Sequence, residues 1–170
     1  DNLIQDEKYF TTLAFVSLKE NGEREFAFAR KPGADTNLCM KEIDPEILEN
    51  TRVFHVGSLS LTDDPSRTAT YEAINIARNS GAVISYDPNY RAALWSDPET
   101  AQLRMQSLIP YVDMMKISDE ETSLLTPYQD PEEAIQYLLR QGVHLVAVTL
   151  GRDGALIGNE NGCLLYTSDA

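Results

Sequence analysis

Asp87, Asn89 and Arg91 fall within Ser85-Tyr86-Asp87-Pro88-Asn89-Tyr90-Arg91, directly after the apolar run 82–85. The aspartate supplies acceptors and the asparagine amide both donates and accepts. The arginine offers a planar five-donor fork suited to phosphate, carboxylate or vicinal hydroxyls. The same residues also read as an ordinary turn, with Arg91 solvated and Leu94-Trp95 anchoring the loop on the core. Lys116 closes a second apolar run, where an ammonium is unfavourable unless a partner or ligand faces it. Ser118 and Glu121 follow at a spacing that makes a helix capping box, and Glu121 could equally hold a metal-bound water. A third cluster, Thr149-Leu150-Gly151-Arg152-Asp153-Gly154, brings a hydroxyl and two glycines whose backbone N–H groups can approach an anion. A tight turn between strands would need those glycines too. Gly57-Ser58-Leu59-Ser60 is a fourth, equally readable as a tight loop or as a backbone surface with hydroxyls for a ligand.

Each cluster follows a strand-like run: Arg52 to Val56, Ala82 to Tyr86, Val112 to Lys116 and His144 to Leu150. Helical stretches separate these runs, the pattern of βα units and a parallel sheet, whose carboxyl ends are where such folds bind ligands. Asp64-Pro65 opens a helix to Asn79, Pro98 starts another, and Asp130-Pro131 opens one through Arg140 that stops at Gly142. The first part of the chain differs. Residues 11–18 and 24–30 flank Asn21-Gly22, a strong hairpin signal. The second arm alternates, with Phe26 and Phe28 on one face and Glu25, Ala27 and Ala29 on the other, and the latter face is expected to look into a cleft.

Composition narrows the function classes. A net charge of −13 argues against nucleic acid and anionic membranes as partners. Apolar runs such as 143–150 are far shorter than the roughly 20 residues that cross a bilayer. Cys39 and Cys163 form no pair motif, which suggests a reducing, cytoplasmic compartment. His55 and His144 sit in or beside strand-like runs and read as packed or edge residues rather than metal ligands. Neither the dinucleotide fingerprint nor the P-loop occurs.

In this order the motifs resemble the PfkB (ribokinase-like) family of sugar kinases, most closely its bacterial fructokinases. The matching segments are Ala29-Arg30-Lys31-Pro32-Gly33-Ala34-Asp35, Phe54 to Leu61, Ser85 to Arg91 with Leu94-Trp95, Lys116 to Glu121, and Val148 to Gly154. The resemblance implies a three-layer α/β core with a parallel central sheet, and a small β-sheet lid that often mediates dimerisation. It implies lid and connection over residues 1–40, core over 41–158, and a disordered or non-native tail over 159–170. It implies ATP-dependent phosphorylation of a sugar hydroxyl, with Mg2+. By motif, Arg30, Ala34, Asp35 and Arg91 fall on the sugar side. Asn89, Lys116, Ser118, Thr149, Gly151 and Gly154 fall on the nucleotide side, and Glu121 organises the metal through water. Ser118 replaces the asparagine common in ribokinases. The family's early Gly-Gly and late Gly-Ala-Gly-Asp segments do not occur in this sequence, and the latter carries the catalytic aspartate. The expectation is therefore an internal, inactive portion of a fructose kinase. The alternatives are a 2-keto-3-deoxygluconate kinase, or a non-catalytic sugar-binding or dimerisation module.

Overall fold

Apolar side chains in this sequence recur at every second position within short runs, and those runs become the strands of one sheet. The computed structural model describes residues 3–19, 24–30 and 33–167. The Asn21-Gly22 turn, Lys31-Pro32 and the last three residues of the expected tail lie outside the described residues. β1 (Leu13–Leu18) and β2 (Arg24–Ala29) pair antiparallel as a separate two-stranded sheet. The main sheet contains β3 (Val53–Gly57), β4 (Val83–Asp87), β5 (Met114–Ser118), β6 (Leu145–Thr149), β7 (Ala155–Asn159) and β8 (Gly162–Tyr166), ordered as in the chain. β3 to β6 run parallel, and β7 and β8 return antiparallel.

The fifth strand begins later than its apolar run. Val112 is buried but unpaired, because the Asp113 carboxylate accepts the Ile84 N–H at 2.7 Å and the ladder starts at Met114. The expected disorder over 159–170 is corrected for 162–166, which pair along the whole of β7 as β8. The tail reading rests on residues 163–170 departing from the family's pattern; Asn159 to Gly162 form the tight turn of a hairpin instead.

The helices are α1 (Pro45–Glu49), α2 (Ser66–Asn79), α3 (Pro98–Gln106), α4 (Thr122–Leu125) and α5 (Pro131–Arg140). Three of them start at an Asp-Pro step: Asp44, Asp97 and Asp130 each accept a first-turn N–H, at 2.7 to 3.0 Å, while proline fills the first helical position. They pack on one sheet face. Ile84, Tyr86, Met115, Ile117, Val146 and Val148 on that face are buried with Ile74, Met105, Ile135 and Leu138 from the helices. The other face carries Val53, His55, Val83, Ser85, Asp87, Met114, Lys116, Ser118 and Thr149, all exposed or half-buried. The fold is the expected α/β class with a largely parallel sheet and a small antiparallel one, and these residues supply the sheet and one helical layer. Among the described residues no helix is long and apolar enough to cross a membrane.

Candidate active site

The half-open face gathers its aspartate and lysine at its carboxyl end. β4 and β5 pair through Ser85–Met114 and Tyr86–Met115. Past the second pair, Lys116 Nζ lies 3.3 Å from Asp87 Oδ2. One strand further, Ser118 sits opposite Thr149 in the β5–β6 ladder. Four adjacent strands thus deliver their loops to one edge, and side chains at alternate positions share the open face because a strand's period is two.

Three loops are tied together there. The loop after β4 is held at both ends by carboxylates: Asp87 Oδ1 accepts the Asn89 N–H at 3.1 Å, and Glu121 Oε1 accepts the Tyr90 N–H at 2.7 Å. Between them Asn89 adopts φ 48°, a left-handed conformation that asparagine tolerates better than most residues. Ser58 N–H donates to Pro88 O at 3.1 Å and joins the loop after β3. Glu121 is 7% exposed, and its second oxygen accepts from Ser118 N at 2.8 Å and Ser118 Oγ at 3.1 Å. Glu121 is therefore a strut between two loops as well as the end of a capping box.

Arg30 leaves β2 and enters the core. It is 4% exposed, with Nε on Asp35 Oδ2 at 2.8 Å, Nη1 on Thr62 Oγ1 at 3.0 Å and Nη2 on Leu59 O at 2.7 Å. Thr12 Oγ1 also donates to Asp35. Burial raises the Asp35 pKa, but the Arg30 and Thr12 hydrogen bonds outweigh it and hold the carboxyl below its ordinary value. Ala34 N–H donates to Phe10 O at 2.9 Å, so the segment joining hairpin to core is fastened from both sides. On the hairpin itself, the Arg91 guanidinium lies 5.5 Å over the Phe26 ring, which stacks beside Phe28. The aromatic face, not the Glu25 face, looks toward the core. A cation over a π face favours that side, whereas Glu25 gains more from water.

After β6 the chain turns sharply. Leu150 N–H donates to Gly154 O at 2.8 Å, with Gly151 at φ 57° and Gly154 at φ 101°. A Cβ on Gly154 would sit 1.9 Å from Tyr166 O, so no other residue fits there. Thr149 Oγ1 reaches Ile117 O at 3.4 Å.

The family model described as pfkB family carbohydrate kinase matches residues 1–168. The chain belongs to the PfkB carbohydrate kinase family. It is 41% identical over 160 residues to probable fructokinase-2 of Arabidopsis thaliana, covering 94% of this chain and 46% of that protein. It is also 41% identical over 160 residues to fructokinase-1 of Zea mays, covering 94% and 47%. Among solved structures, a double mutant of fructokinase from Vibrio cholerae O395, in its fructose-, ADP- and potassium-bound form, superposes with a TM-score of 0.85. Its identity is 34%, over 97% of this chain and 53% of that one. The chain thus spans about half the length of the curated relatives it matches.

In this PfkB chain, Asn89, Lys116, Ser118, Glu121 and Thr149 gather at one edge with the Gly151–Gly154 turn beside them. Arg30, Ala34 and Asp35 form a separate fastening under the hairpin, linked to the loop after β3 through Leu59 and Thr62. Lys116 has the partner its position demanded, in Asp87. The sequence reading did not single out Thr62, which accepts from Arg30 Nη1. The meeting of Asp87 with Lys116 follows from strand register: each alternates with buried residues on neighbouring strands, so they share a face. Among the described residues, no group of three or more His, Cys, Asp or Glu could hold a metal ion. His55 is an exposed edge residue whose Nδ1 lies 3.1 Å from Ser85 Oγ, and His144 is exposed. Both cysteines are free, and Cys39 Sγ donates to Glu42 at 2.9 Å, which raises its pKa.

Proposed function

We propose that this chain is the sheet-edge portion of an ATP-dependent fructose kinase, transferring a phosphoryl group to a sugar hydroxyl. The observation that carries this reading is the convergence of Asn89, Lys116, Ser118, Glu121 and Thr149 on the carboxyl edge of one sheet face, with Arg91 beside it under an aromatic lid face. Phosphoryl transfer depends on positioning and charge stabilisation rather than covalent help. Lys116 and the amides of the Gly151–Gly154 turn are the groups on this edge suited to phosphate oxygens, with Asn89, Ser118 and Thr149 adding polar contacts. The resemblance to structures with bound ADP supports a nucleotide here.

The donor set fits Mg2+ held through water and phosphate rather than caged by protein, since Mg2+ keeps several waters and asks for only one or two carboxylates. Glu121 is the carboxylate for that role, anchored by Tyr90 and Ser118. When bound, the ion neutralises charge developing on the transferred group. The Gly-Ala-Gly-Asp segment, with the family's proton-accepting aspartate, does not occur in this sequence, so the residues at this edge supply positioning and charge stabilisation rather than the proton acceptor.

Arg91, with Ala34 and Asp35 near the hinge, makes up the sugar side. The donors of Arg30 are engaged by Asp35, Thr62 and Leu59, which favours a neutral sugar over a keto acid needing two free arginines. A second reading, pairing of two copies through the hairpin, is favoured by its exposed Leu13, Phe15, Val16 and Leu18. We place the protein in the cytoplasm on its free thiols. The test is ATP-dependent phosphorylation of fructose and of 2-keto-3-deoxygluconate by the full-length protein. Turnover on fructose at least tenfold above the keto acid is expected, and turnover on neither overturns the reading.

A further inference from the structure

Asp87 serves two partners with two oxygens, and both partners lie on the edge assigned above to phosphate. Oδ1 accepts the Asn89 N–H at 3.1 Å and so fixes the left-handed residue. Oδ2 faces Lys116 Nζ at 3.3 Å. The pair is open to water, with the Lys116 side chain 43% and the Asp87 side chain 27% exposed. Ion pairs this exposed add little to folding stability. What Asp87 does supply is direction. A lysine side chain has four rotatable bonds and samples many orientations when unrestrained. A carboxylate on the neighbouring strand narrows them to the carboxyl end of the open face, while its other oxygen sets the loop that carries Asn89 and Arg91.

We propose that Asp87 is a positioning residue of the phosphoryl site, aiming the Lys116 ammonium and fixing Asn89 with one carboxylate. The proposal rests on the kinase reading. Lys116 acts on the phosphate oxygens, and Asp87 acts only through Lys116 and the loop. Asp87→Asn retains an oxygen for the Asn89 N–H and removes the charge that holds Lys116. Asp87→Glu retains the charge at a longer reach.

The experiment is a double-mutant cycle in the full-length protein, comparing wild type, Asp87→Asn, Asp87→Glu, Lys116→Met and the Asp87→Asn/Lys116→Met double variant. Each is assayed for kcat and KM with fructose and ATP, and for thermal unfolding. Asp87→Asn should lower kcat about 10- to 100-fold, the range expected of a misplaced catalytic charge, with an unchanged sugar KM and an unchanged midpoint. Asp87→Glu should recover part of the loss. Once Lys116 is methionine, Asp87→Asn should cost less than about twofold more, because the two residues then act as one unit. Equal losses with and without Lys116, an unchanged kcat, or a loss that tracks a lowered midpoint each overturn the role. A wild type that phosphorylates no sugar overturns the kinase reading and the proposal together, whereas an active wild type with an additive cycle overturns the proposal alone.

Discussion

Replacing Arg30 with methionine removes the fastening between hairpin and core while keeping most of the side chain's bulk. Three contributions decide the size of the effect. The Asp35 side chain is 47% exposed, so water takes over much of what Arg30 gave it. Thr62 Oγ1 still donates to Leu59 O at 2.9 Å, which leaves that carbonyl one partner. The guanidinium's own hydrogen bonds to Leu59 and Thr62 remain as the main loss, at about 1.5–3 kcal/mol for a bond to a charged group, partly offset by no longer burying a cation. A net destabilisation of about 2–3 kcal/mol follows. Its location is the sharper prediction. A two-stranded sheet is marginal on its own, so β1 and β2 depend on this anchor whereas β4 to β6 do not. Amide hydrogen exchange should speed up about 30- to 150-fold in β1 and β2, the rate equivalent of that free energy, and hold steady in β4 to β6. Equal acceleration in both sheets, or none in the hairpin, refutes the reasoning.

Further outcomes follow from the same geometry. Asp35 is held below the ordinary carboxyl value of 3.8, so its folded form binds protons less readily than the unfolded chain. Its contribution is complete above that value and fades as pH falls through the lower folded pKa, which acid titration of hairpin exchange will read and Asp35→Asn will abolish. Glu121→Gln places an amide NH2 against either the Tyr90 or the Ser118 N–H, at a cost of about 1–3 kcal/mol by denaturant melts. Gly154→Ala forces a Cβ onto Tyr166 O at a glycine-favouring φ of 101°, and should cost at least about 1–3 kcal/mol and release β8, visible as lost protection at 162–166. Tyr86 is buried and its phenol is pushed well above 10, first by desolvation, so its contribution is complete below 10 and fades as pH rises through the folded pKa. Tyr86→Phe should flatten the alkaline limb of an unfolding titration.

The sheet was legible because apolar alternation reports burial, and the residues of β3, β4 and β6 are buried in step. β5 misled by two residues because Val112 is buried without being paired. β8 is not legible because residues 163–170 depart from the family's pattern, and its pairing with β7, not its own pattern, makes it a strand. Site residues were legible as chemistry: polar groups at strand ends stand out against apolar runs. Their partners were not. That Arg30 turns to Asp35 and Leu59, that Arg91 lies over Phe26, and that Lys116 meets Asp87 are consequences of register and loop closure, which local spacing does not encode.

The alternation along β5 also fixes where this protein can change length. Met115 and Ile117 point into the core while Lys116 and Ser118 point to the open face. One residue inserted between Asp113 and Met115 would exchange the two sets, turning an ammonium and a hydroxyl inward and two apolar side chains outward. The edge would lose its chemistry and the core its packing in a single step. Lengthening the turns at the amino ends of the strands, at Ser80-Gly81 or Gln141-Gly142, shifts no side chain from one face to the other. Related sequences should therefore vary in length at that end of the sheet and keep the strands themselves free of insertions, a pattern an alignment would expose at once.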